Sequence, residues 1–89
     1  MLYAVIYKLK KWGKDYSSLY QKLQDYDAWM HYIDNFWIID SSKYANDISK
    51  DLLPLIDQKN DYILIIQISR DYQGWLPKEA WSWINERIY

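Results

Sequence analysis

Four lysines, Lys8, Lys10, Lys11 and Lys14, fall within seven positions around Trp12 and Gly13. Ammonium groups hold phosphates as point charges and an exposed indole stacks on a base, so the segment reads as a site for a phosphate-bearing ligand. Stacking alone supplies roughly 1–3 kcal/mol per base. The competing reading is a solvated basic loop with Trp12 packed beneath it. The single histidine, His31, sits among aromatics in a strand-like stretch. It reads either as a packed structural residue or as a further contact to the ligand. Lys and Arg total 11 against 12 Asp and Glu, a formal net charge of −1. That balance supplies no long-range field for a long polyanion and favours a nucleotide, a cyclic nucleotide signal or weak contact with nucleic acid.

Other chemistries lack their residues. The chain has no cysteine, which removes disulfides, thiolate nucleophiles and Cys-built zinc sites. Its two glycines, Gly13 and Gly74, cannot form a phosphate-cradling loop, and no serine stands in a Gly-x-Ser-x-Gly turn. Ser41 or Ser42 reads as a helix cap, Asp15 as another, Asp34 as a turn residue, and Asp57 and Asp61 as the flanks of a loop. Asp25 and Asp27 read as solvated charge rather than a cation site. No catalytic residue, metal ligand or cofactor is assigned.

The elements that position these residues follow from periodicity. Leu2-Tyr3-Ala4-Val5-Ile6-Tyr7 is β-branched and aromatic and reads as a buried strand. Tyr16, Leu19, Tyr20 and Leu23 recur at helical spacing after Asp15, predicting a helix that ends near Asp25. Trp29–Ile33 and Phe36–Ile39 read as a hairpin about an Asp34-Asn35 turn. A second helix carries Tyr44, Ile48, Leu52, Leu55 and Ile56 on one face and ends about Pro54. Asp61–Ile68 is the clearest strand, and Pro77 opens a last helix with Trp81, Ile84 and Ile88 at helical spacing. The order β-α-β-β-α-β predicts a single α+β domain over 1–89: a ferredoxin-like sandwich with an extra C-terminal helix. No apolar run reaches the roughly 18 residues of a membrane span, so a cytoplasmic protein without membrane contact is expected.

An open sheet face should alternate apolar and polar residues. Here Leu2, Ala4 and Ile6 oppose Tyr3, Val5 and Tyr7, and Tyr62, Leu64, Ile66 and Ile68 oppose Ile63 and Ile65. Both faces are apolar. Leaving such side chains wet forfeits roughly 1.5–3 kcal/mol each. The terminal helix can cover part of the second face, and a second copy of the chain is the better cover for the rest. A homodimer is expected, with Leu2, Ala4, Ile6, Trp75 and Trp81 at its interface. Trp81 and Trp83 point roughly 200° apart on a helix, so one of them is expected to serve an interface, a site or solvent.

Four features resemble the short bacterial proteins labelled SinR-like, relatives of the small CRISPR adaptation protein Cas two. They are Tyr7-Lys8-Leu9 with the glycine-containing loop and Asp15-Tyr16…Leu19-Tyr20; Trp29-x-His31-x-Ile33-Asp34 running into Trp37-x-Ile39; Ile48…Leu52-x-Pro54-x-Ile56; and the last apolar strand. Together they span residues 2–69. The resemblance implies a ferredoxin-like fold, a face-to-face dimer and a metal-dependent nuclease. Those nucleases carry an aspartate just after the tyrosine that closes the first strand, where this chain has Lys8. A lysine cannot ligate Mg²⁺ and repels it.

The sequence therefore predicts a non-catalytic homodimer that binds a phosphate-bearing ligand through Lys8, Lys10, Lys11, Trp12, Lys14 and His31. A counter-defence or sequestering role between phage and bacterium is the expected setting by analogy. The alternatives are a protein-interaction module docking on a larger complex, and a residual metal-dependent nuclease.

Overall fold

The apolar run at the start of the chain forms β1 (Leu2–Lys8), the strand around which the rest is built. The computed structural model describes residues 1–10 and 15–88. α1 (Ser17–Gln24) follows, then β2 (Ala28–Ile33), β3 (Phe36–Asp40), α2 (Ala45–Leu52), β4 (Tyr62–Gln67) and α3 (Lys78–Arg87). A 3-10 turn, Leu53–Leu55, closes α2 with Pro54 inside it, where the missing N–H is tolerated. The protein is thus a small α+β domain whose four strands form an antiparallel sheet of order β2-β3-β1-β4.

Alternation along β1 sorts its side chains between two cores. Tyr3, Val5 and Tyr7 join Trp37 and Ile39 of β3 beneath Leu19 and Leu23 of α1 and Ile48 and Leu52 of α2. Each of those leucines contributes roughly 1.5–3 kcal/mol by burial. On the second face Leu2, Met30 and Ile38 pack against Ala80 and Ile84 of α3. The terminal helix packs against β2 and covers Leu2, Met30 and Ile38, and the expected partial cover is observed.

Two helix starts differ in detail from the sequence reading. The cap position of α1 is Tyr16 rather than Asp15; Asp15, one residue earlier, accepts the Ser17 N–H at 2.9 Å, and that bond holds its carboxyl below the usual range. Ser41 does not cap α2. Its backbone N–H donates to the Met1 carbonyl at 2.9 Å, which fixes it at the sheet's end, and its Oγ accepts the Lys43 N–H at 3.1 Å. α2 begins only at Ala45, after Tyr44. Tyr44, placed on the buried face by periodicity, is exposed because it stands before the first helical turn rather than within it. Trp81 and Trp83 both pack partly against the second core: Trp81 stacks on Tyr72 and Trp83 carries the Arg87 guanidinium. Among the described residues no helix is long and apolar enough to cross a membrane.

Candidate ligand site at the exit of β1

The basic segment begins where β1 ends. Lys8 lies on the same side of the strand as Leu2, Ala4 and Ile6, pairs with Tyr62 of β4 in the sheet register, and is exposed. Lys10 places its ammonium 5.0 Å from the centre of the Tyr62 ring, a cation–π contact of roughly 0.5–1 kcal/mol at an exposed site. Neither lysine has an ion-pair partner among the described residues. Lys11, Trp12 and Lys14 lie outside the described residues, so the structure brings together two of the four lysines and one aromatic, Tyr62, that the sequence reading had not assigned to the site.

Asp61 holds the base of this segment. It is only 4% exposed. Its Oδ1 accepts the Lys10 backbone N–H at 2.8 Å, while Oδ2 accepts the Tyr16 hydroxyl at 2.7 Å and the Asp57 N–H at 2.9 Å. One carboxylate therefore ties the end of β1, the entry to α1 and the loop before β4 into one unit. A buried carboxylate is tolerated only with such donors. Sequence reading placed Asp61 as a loop flank; the signal available was an acid directly preceding an apolar strand, too common to identify a hub.

His31 is held elsewhere. Its ring stacks on Trp37, with centroids 4.0 Å apart and planes 11° apart. Its Nε2–H donates to the Asp34 carbonyl at 2.9 Å. The stacking sets it against Trp37, on the face covered by α1 and α2, whereas Lys8 lies on the opposite one. The structural reading of His31 accounts for both contacts.

The residues expected at a subunit interface separate in the same way. Leu2 and Ala4 are already buried within the chain, and Trp81 is partly packed. Ile6 remains 37% exposed, beside Leu64 and Ile66 of β4 at 56% and 47%. The register pairs Ile6 with Leu64 and Ala4 with Ile66, so α3 leaves a continuous apolar strip on the β1–β4 half of the second face. Tyr62 and Lys8 stand at its end. Trp75, 98% exposed, projects from the connection between β4 and α3. Among the described residues no three His, Asp or Glu side chains converge as a metal site would need. No protein-family model, curated protein or solved structure matches this chain.

Proposed function

We propose that the chain is a non-catalytic homodimeric binding protein of ferredoxin-like architecture. Its subunits pair through the uncovered half of the sheet's second face, and the lysines at the exit of β1 hold a phosphate-bearing ligand. The carrying observation is the strip of Ile6, Leu64 and Ile66 left open beside a helix-covered core, with Lys8 and Lys10 at its end. Burying apolar surface gains about 25 cal/mol per Å², and a contiguous apolar patch on a small domain marks an interaction face. Among the described residues no strand lies beside the outer edge of β4, so the same half of the sheet also offers backbone groups for pairing. A twofold pairing there doubles the basic segment, giving a nucleotide-sized anion two sets of lysines.

The element order and the strand order β2-β3-β1-β4 favour the ferredoxin-like assignment. The likeness to SinR-like proteins points the same way on fold and pairing. Lys8 in place of an acid argues for binding over metal-dependent cleavage. A second reading, docking onto a larger protein, rests on Trp75, because an indole standing in solvent is a frequent anchor of protein interfaces. Size and binding measured on one set of variants separate the two. Leu64→Lys should dissociate the dimer. Lys8→Glu with Lys10→Glu should abolish binding of ribonucleotides, cyclic dinucleotides or a single-stranded oligonucleotide while leaving the dimer intact. Failure of that whole panel to bind the unaltered dimer would favour the protein-docking reading.

A further inference from the structure

A pocket of about 260 Å³ opens between the second face of the sheet and the segment that leads from β4 into α3. Phe36, Ile38 and Ile84 are among the residues that line it, together with Tyr72 and Trp81, and the exposed Trp75 stands at its mouth. Tyr72 and Trp81 are stacked with centroids 6.3 Å apart and planes 11° apart. The Tyr72 hydroxyl donates to Asn85 Oδ1 at 3.0 Å, which fixes this aromatic wall. An adjoining polar hollow shares Tyr72, Trp75 and Trp81 and adds Arg70 and Asn85.

Charge completes the description. Among the described residues Arg70 is the one charged side chain lining either hollow, and it has no ion pair there. Asn85, with Oδ1 engaged, has its amide N–H groups unbonded among the described residues. A guanidinium and an amide N–H at the edge of an aromatic-lined pocket match a carboxylate carried on a flat ring. The volume falls just under the roughly 300–1,000 Å³ of drug-sized sites, which limits the guest to one or two rings. We infer that this pocket binds an aryl carboxylate, its ring lying against the Tyr72–Trp81 wall and its carboxylate meeting Arg70 and Asn85. The site stands apart from the lysines at the exit of β1 and does not rest on the dimer.

The probe is 1-naphthoate, titrated into protein carrying labelled isoleucine methyls, with neutral 1-naphthylmethanol as the control. Saturable shifts at Ile38 and Ile84, with Ile48 of the helix-side core unmoved, are expected. Arg70→Glu, at an exposed position outside every helix and strand, should weaken naphthoate by roughly tenfold or more, the loss of a charged contact. The neutral probe should bind more weakly and ignore that substitution. The proposal is overturned if millimolar naphthoate moves none of these methyls, if the shifts fall on Ile6 and Ile66 instead, or if Arg70→Glu leaves the affinity unchanged.

Discussion

The Trp37 indole N–H donates to the Tyr7 hydroxyl at 3.0 Å, and that hydroxyl donates onward to the Asp34 carbonyl at 3.1 Å. The pair links the core of the sheet to the turn between β2 and β3, and the His31 Nε2–H donates to the same carbonyl. Both rings are buried, and burial pushes the Tyr7 phenol above its ordinary pKa. A buried indole N–H needs an acceptor, so the hydroxyl is structural rather than reactive.

Tyr7→Phe removes that acceptor and leaves the Trp37 donor stranded. We expect a loss of about 1–3 kcal/mol in urea-denaturation stability, the cost of an unsatisfied buried group. His31→Ala should cost less, because Tyr7 still satisfies the Asp34 carbonyl. Equal losses in the two variants would contradict this ordering.

Asp61→Ala deletes the acceptor for Lys10, Tyr16 and Asp57 at once. Stability should fall by about 3 kcal/mol or more, since hydrogen bonds to a charged group contribute roughly 1.5–3 kcal/mol each. Amide exchange should rise most at Lys10 and Asp57. Asp61→Asn keeps one carbonyl oxygen and should fall between the two in thermal unfolding.

Asp51 predicts the acid limb of stability. Its Oδ2 accepts from Lys43 Nζ at 2.7 Å and from the Tyr26 hydroxyl at 2.8 Å, and the Lys43 bond is the larger reason its carboxyl lies below the ordinary range. A carboxyl depressed in the folded state stabilises above its unfolded value, roughly 3.9. That contribution is lost as pH falls through the lower folded value. The stability gap between the native chain and Asp51→Asn, from urea unfolding, should therefore shrink between pH 5 and the acid limit. Tyr26 behaves oppositely: burial, then Asp51, raises its phenol, so its contribution is present below roughly pH 10 and lost at higher pH. A gap that widens on acidification would refute the Asp51 assignment.

Trp75→Ala should leave the unfolding midpoint unchanged, because an indole 98% exposed contributes almost no burial to the fold. A clear drop in midpoint would mean that the ring is covered in solution.

Much of the fold was legible because periodicity and packing agree. Leu19, Leu23, Ile48 and Leu52 are spaced for helices and are buried as spaced. The two-sided apolar character of β1 called for cover on both faces, and α3 supplies it over Leu2 but not over Ile6. Sequence alone could not divide the second face between α3 and open surface, since Leu2 and Ile6 are the same kind of residue on the same side of one strand. Only the placement of α3 separates them. The same limit applies to the site. Charge spacing nominated Lys8 and Lys10 for a site, while Asp61 and Tyr62 meet Lys10 through contacts about fifty positions apart in the chain, which no local pattern records.

The central claim is tested most directly by light scattering on the eluted native chain and on Leu64→Lys. The native chain should elute at twice its 11.0 kDa mass and the variant at 11.0 kDa, with the variant's far-ultraviolet spectrum unchanged. A native chain that stays at the single mass at high concentration, or a variant that keeps the native size, would contradict pairing through the β1–β4 strip.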